Sequence, residues 1–238
     1  MTAVVEIAVQ DAAGARVAIA AGADRLELCQ ALETGGLTPS IATIDAVCDA
    51  VGAEKVNVLV RPRGGGFVYD ADEIAVVAAD IRACVDRGVA GVVVGALDAD
   101  GRADREALQR WRDAAGPATF VFHRAIDASP RSADVFEALL AEGVDRVLTS
   151  GGAPRSIDGV DRLAAYARLA GTALDVTAGG GVAPEHIPHI VHAGVQAVHL
   201  SARRRTGLDA VSGPGGGVEG HDVTDPGIVA AAVAAARC

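Results

Sequence analysis

Ala21-Gly22-Ala23-Asp24-Arg25-Leu26-Glu27-Leu28-Cys29 decides the fold, because its layout returns three times. It recurs as Arg87-Gly88-Val89-Ala90-Gly91-Val92-Val93-Val94-Gly95, as Glu142-Gly143-Val144-Asp145-Arg146-Val147-Leu148-Thr149-Ser150, and as Ala193-Gly194-Val195-Gln196-Ala197-Val198-His199-Leu200-Ser201. In each, a glycine precedes an apolar run too short for a helix, the pattern of a parallel strand buried on both faces. Glycine is favoured just past a helix end, where the chain turns left-handed. Gly52, Gly116 and Gly171 introduce further runs of the same kind, and each interval is long enough for one strand and one helix. With Val4–Ala8 in front the strands number eight. That is the count of a (β/α)8 TIM barrel, at a length of 238 residues, near the typical ~250. The expectation is an α/β fold with parallel strands, a single domain over residues 1–238. The rival, a doubly wound open sheet, lacks its G-x-G-x-x-G fingerprint: Gln10-Asp11-Ala12-Ala13-Gly14 follows the first strand instead.

Working outward from the repeat, equivalent positions fall at equal levels of the barrel. Seven residues past each glycine stand Cys29, Gly95, Ser150 and Ser201, at the carboxyl mouth; five past stand Glu27, Val93, Leu148 and His199, one layer deeper. Ile41, Ile44, Val47, Cys48 and Val51 follow helical spacing after Ser40, as do Ile74, Val77, Ile81, Cys84 and Val85 after Asp70, so Cys48 and Cys84 read as core. Further helices are expected over 103–115, 132–142, 158–170, 184–193 and 222–236. Residues 204–221, containing Gly213-Pro214-Gly215-Gly216-Gly217, read as a Gly/Pro-rich loop after strand eight, where a mobile lid would lie.

Composition excludes several classes of function. A formal charge of −10 argues against sequence-independent binding to nucleic acid or an anionic membrane. No apolar run reaches the ~18 residues of a membrane span, and no basic stretch leads an apolar one at the amino terminus. The four cysteines, Cys29, Cys48, Cys84 and Cys238, form no C-x-x-C pair. Neither a disulfide framework nor a zinc site follows, and a reducing cytoplasm is the natural location.

Strand ends carry the site in a parallel barrel. They hold Glu6, Glu27 and Cys29, Arg61 and Arg63, His123, Arg124 and Asp127, Ser150, Gly179-Gly180-Gly181, and His199, Ser201 and Arg203. Buried Glu6 and Glu27 want a cation, for which Arg61 is the nearest candidate, either in a structural ion network or in a working site. His123 is the candidate acid/base, since imidazole exchanges protons near neutrality, with Glu27 or Glu6 as carboxylate partner and Asp127 beside it. His186, His189 and His192 fall on the outer stripe of a helix. Ser150-Gly151-Gly152, Gly180-Gly181 and Ser201-Ala202-Arg203, with Arg61, Arg63 and Arg124, read as a cradle for a phosphate or carboxylate.

Taken together, these blocks resemble the CutC family of copper-homeostasis proteins, from about Glu6 to Arg203. The matching stretches are Ala20–Cys29, Gly35-Gly36-Leu37-Thr38-Pro39-Ser40, Val60-Arg61-Pro62-Arg63-Gly64-Gly65, Phe122-His123-Arg124-Ala125, Leu148–Gly152, Gly179–Gly181 and Ser201-Ala202-Arg203. The resemblance implies a TIM barrel, a cytoplasmic location, self-association as a homo-oligomer, and copper as the metal handled. The family's first strand commonly reads Glu-Val-Cys; here it is Glu6-Ile7-Ala8, which leaves Cys29 as the one thiol at the mouth for Cu(I), a soft ion favouring thiolates. Two functions follow. One is copper homeostasis with Cu(I) on Cys29. The other is an enzyme acting on a small anionic or phosphorylated metabolite with His123 as acid/base.

Overall fold

All seven repeat glycines turn the chain through positive φ, from +54° at Gly116 to +98° at Gly22. The computed structural model describes residues 2–208 and 220–238, and in it each of these turns feeds a strand. The strands are β1 (Val4–Val9), β2 (Arg25–Leu28), β3 (Val56–Leu59), β4 (Gly91–Val94), β5 (Thr119–Phe122), β6 (Arg146–Thr149), β7 (Asp175–Gly179) and β8 (Ala197–Leu200). Neighbours in sequence pair in parallel, and β8 closes on β1 with Glu6 opposite His199, a closed eight-stranded barrel.

Around it run α1 (Ala12–Ala20), α2 (Ile41–Val51), α3 (Ala71–Val85), α4 (Arg105–Ala115), α5 (Ala125–Ala128), α6 (Ser132–Ala141), α7 (Val160–Ala170), α8 (Ile187–His192) and α9 (Pro226–Ala236). Their starts follow from capping chemistry. The Ser40 hydroxyl accepts from the Thr43 amide, and Asp70 and Glu73 form a reciprocal capping box at α3. Apolar faces go inward: Ile44 and Val47 of α2, and Val77, Ile81 and Cys84 of α3, are buried against the strands, whereas Ile41, at the first turn, is left exposed.

Strand alternation separates two interiors. Leu26 and Leu28 of β2 face the helices in the main core, while Arg25, Glu27 and Cys29 face the barrel axis.

The segment read as a loop over 204–221 differs at both ends. β9 (Arg203–Thr206) and β10 (His221–Thr224) pair antiparallel, tied by Arg203 to Asp222 at 2.6 Å and Arg204 to Asp225 at 3.3 Å. Arg203-Arg204-Arg205-Thr206 and His221-Asp222-Val223-Thr224 bury no apolar face, as an exposed ribbon allows, and the ribbon delays α9 from the expected 222 to Pro226, behind an Asp225 cap. Gly213-Pro214-Gly215-Gly216-Gly217 lies outside the described residues.

Candidate active site

The barrel floor is polar. Glu6 accepts from Arg25 Nε at 2.5 Å and from Asn57 Nδ2 at 3.3 Å, and its other oxygen meets His199 Nδ1 at 2.8 Å; Arg25 also reaches Thr177 Oγ1 at 3.3 Å. Burial alone would raise the Glu6 pKa, but Arg25 and the hydrogen bonds from His199 and Arg25 outweigh it and hold the carboxyl far below its usual range. His199 is raised despite its burial, because Glu27 and Glu6 favour its charged form. Glu6 is therefore a structural counter-ion. Its cation is Arg25 rather than the expected Arg61, because Arg25 lies on the neighbouring strand and faces the axis.

Above the floor opens a cavity of about 590 Å³, lined by Glu27, Arg61, Phe67, His123, Gly180 and Ser201 among others. Glu27 is buried, and its Oε2 has no hydrogen-bond partner. Desolvation, opposed by His199 and Arg25 and reinforced by Glu6, raises its pKa to about 7. His123 is packed over Gly95, where a Cβ would lie 2.4 Å from Nδ1, and its ring centroid is 5.0 Å from that of Phe67. Its Nδ1 accepts from the Ala125 amide at 3.2 Å, so the ring is neutral with its proton on Nε2, and that atom has no partner. Burial, with Arg61 adding to it, pushes the imidazole pKa down to about 3. Neither Glu27 nor Glu6 bonds to His123. His123, the expected acid/base, stands as a neutral imidazole whose Nε2–H has no partner, and Glu27 is the group whose pKa is raised toward neutrality.

The arginines divide by what they already hold. Arg61 donates to the carbonyls of Thr34 and Gly36, both at 3.2 Å, and of Gly65 at 2.7 Å, which leaves only Nε without a partner. Arg63 is exposed, paired with Glu73 and stacked over Tyr69, away from the cavity; Arg203 belongs to the β9–β10 ribbon. Arg124 lines the cavity, held by Asp127 at 2.8 Å and by Ser150 Oγ at 3.1 Å, its guanidinium laid against Gly180, where a Cβ would come within 2.7 Å. Asp127, expected beside the catalytic group, is a loop anchor: it accepts from Thr149 Oγ1 at 2.6 Å, Ser150 N at 2.9 Å and Gly152 N at 3.0 Å. Ser150, Gly151 and Gly152 therefore stand behind the cavity wall, while Gly180, Gly181 and Ser201 stand on it. Ala202, next to Ser201, holds a positive φ of +41°, a strain found at sites where backbone geometry is imposed.

Cys29 is fully buried among Leu59, Val93 and Val121, 3.8 Å from the Val9 carbonyl. Burial, with Glu27 and Glu33 adding to it, pushes its thiol far above the usual range. Arg25, Asn57, Thr177 and Phe67 carry weight that the sequence reading did not assign. The signal for Arg25 was available, since it sits two residues before Glu27 and so shares its face.

A closed parallel barrel whose carboxyl mouth holds a buried acid, a neutral imidazole and a glycine-rich rim defines a (β/α)8 protein with a polar cavity at that mouth. The CutC family model matches residues 3–204, and the chain belongs to the CutC family. A CutC family protein of Xanthomonas campestris pv. campestris (strain B100) is 41% identical over 199 residues, covering 83% of this chain and 82% of that one. A relative from Mesorhizobium japonicum is 38% identical over 243 residues, covering 98% and 94%. The crystal structure of CutC from Streptococcus agalactiae, described as a copper homeostasis protein, superposes with a TM-score of 0.77 at 29% identity, covering 84% of this chain and 99% of that one. Among the described residues no helix is long and apolar enough to cross a membrane.

Proposed function

We propose that this CutC-family protein is an enzyme whose working site is the barrel mouth and whose ligand is a small oxyanion-bearing metabolite, phosphorylated or carboxylated. The observation that carries this reading is that Glu27, Arg61 and His123, which line one cavity, each keep a buried polar atom with no partner. An unmet buried donor or acceptor costs about 1–3 kcal/mol, and such groups persist where a ligand supplies what is missing. Glu27 is the acid/base, His123 the neutral donor, and Arg124 with the Gly180-Gly181 backbone the oxyanion end. A thermal-shift screen of phosphorylated and carboxylated metabolites tests it. A true ligand at 100 times its Kd stabilises by about 2.7 kcal/mol, and that shift is expected to shrink in Arg124→Ala measured against its own unliganded baseline. A screen in which no compound raises Tm overturns the reading.

Copper homeostasis reaches this chain through its family and the description of the Streptococcus agalactiae relative. Direct Cu(I) binding through Cys29 is narrower, and the residues do not fit it. Cu(I) wants two or more soft thiolate or thioether ligands, whereas Cys29 is a protonated thiol in an aliphatic cluster of Leu59, Val93 and Val121, and Cys48 and Cys84 belong to helices outside the barrel. Glu6, Glu27 and His199 offer ligand atoms within 4.8 Å of one another, a set suited to harder ions, but the Arg25 guanidinium already lies on Glu6. Competition with a Cu(I) chelator is expected to give the same affinity for the wild type and Cys29→Ala. Binding tighter by about tenfold in the wild type would restore the thiol as a ligand.

A further inference from the structure

We infer that the mouth is built to move a proton at a carbon beside a carbonyl group, with Glu27 taking the proton and His123 holding the carbonyl oxygen. The inference deepens, and rests on, the reading of the mouth as an enzyme site for a small oxyanion-bearing metabolite. It names the reaction class, enolisation, and the substrate class, a short carbonyl compound with an anionic end.

The geometry of His123 comes first. Because Nδ1 accepts the Ala125 amide at 3.2 Å, the ring cannot take a second proton there without losing that bond, and the Nε2–H that remains is a buried donor with nothing to donate to. A neutral imidazole donor suits an oxygen whose charge grows during reaction, since the interaction is stronger with the enolate than with the carbonyl. An imidazolium would serve as an acid, and the packing over Gly95 and beside Arg61 disfavours it.

Glu27 is the complementary half. Among the described residues its carboxylate accepts no hydrogen bond, unlike that of Glu6 one strand away, so only the nearby charges of His199 and Arg25 favour its anion against burial. A buried carboxylate without donors is a strong base, and burial raises this one to about 7, where it exists in both forms at neutral pH. The charged and titratable groups that face it are His199 and Glu6 on β8 and β1 and Arg25 on its own strand. A base of raised pKa opposite a neutral imidazole is a recurring arrangement for abstraction next to a carbonyl. Glu27 lies on β2 and His123 immediately after β5, three strands apart around the ring, and both line the same cavity, so a molecule bound there would lie between them. Arg124, against Gly180, is placed to hold an anionic end farther round the rim.

The step balances without a co-reactant. A Glu27 oxygen takes the proton from the carbon next to the carbonyl, and the C–H electron pair becomes the new C=C bond. The C=O pair moves onto oxygen as an enolate, which accepts the hydrogen bond from His123 Nε2. Glu27 then returns a proton to the same carbon and face, restoring the carbonyl compound with solvent hydrogen at that position. Where that carbon carries a hydroxyl, passing the hydroxyl proton to the enolate oxygen and returning the proton from Glu27 to the former carbonyl carbon gives the isomer with the carbonyl moved by one carbon.

The test incubates the full chain in D2O with dihydroxyacetone phosphate, ribulose 5-phosphate, fructose 6-phosphate and pyruvate. Deuterium uptake at the carbon beside the carbonyl is followed by proton NMR, and Tm is recorded with the same compounds. Expected is uptake about 100-fold or more above a protein-free control for at least one of them. Glu27→Gln should bring uptake down to the protein-free level while keeping the ligand-induced Tm shift, and His123→Phe should lower kcat about 10-fold or more with KM little changed. A compound that raises Tm in an Arg124-dependent way without taking up deuterium overturns enolisation and leaves the binding reading standing. Uptake that is equal in the wild type and Glu27→Gln also overturns it. If nothing raises Tm and nothing exchanges, both readings fall.

Discussion

Glu6→Gln is expected to lower stability at pH 7 by about 3–5 kcal/mol, the usual cost of breaking a buried ion pair from one side. The carboxylate offsets Arg25 and His199 inside the barrel, with side chains only 5%, 16% and 13% exposed. Glutamine keeps the shape but leaves the Arg25 guanidinium without the carboxylate it bonds and removes one of the two charges that favour protonated His199. The measurement is the denaturant midpoint at unchanged slope. The two partners contribute in different pH windows. Glu6 has a folded pKa far below 4.5, so its contribution is present above the unfolded value and is lost as pH falls through the folded one. His199 has a folded pKa above 6.5, so its contribution is full below 6.5 and is lost as pH rises through the raised value. A variant within about 1 kcal/mol of the wild type would show that the floor network is incidental.

Glu27→Gln should act in the opposite direction. A carboxyl raised from 4.5 unfolded to about 7 folded binds more protons in the folded state across that interval, so it costs the fold stability as pH rises through it. The wild type and variant should match near pH 4, separate between 4.5 and 7, and differ by about 3 kcal/mol above 7, with the variant the more stable. His199, Glu6 and Arg25 face the same group, so the rise will be broader than a single titration. A variant that is both steadier and inactive is what a residue retained for chemistry produces. Equal stability of the two proteins from pH 4 to pH 8 would remove Glu27 from the role of base.

The repeat made the barrel legible, because a left-handed glycine followed by a β-branched run fixes both the helix end and the strand start. It also placed Glu27 and His199 in one inward layer. What it could not show was who pairs with whom. Arg61 looked like an anion clamp, yet it is held by carbonyls of two loops, and no side-chain pattern announces a carbonyl acceptor. Asp127 looked catalytic because a carboxylate three residues past an arginine is ambiguous between cap and base; four donors converging on it decide the matter. The tautomer of His123 was out of reach for the same reason: a single backbone amide sets it. The ribbon of β9 and β10 was hidden because Arg203-Arg204-Arg205-Thr206 and His221-Asp222-Val223-Thr224 carry no apolar–polar alternation and flank a glycine-rich stretch of sequence.

Arg61 also has a consequence for how the rim behaves. By binding Thr34 and Gly36 on one side and Gly65 on the other, it laces the segments after β2 and β3 into a single unit. A guest that attracts its remaining Nε–H pulls on both at once. Occupancy and the shape of that half of the entrance are thereby coupled, and any widening to admit or release cargo must involve the two segments together rather than either alone.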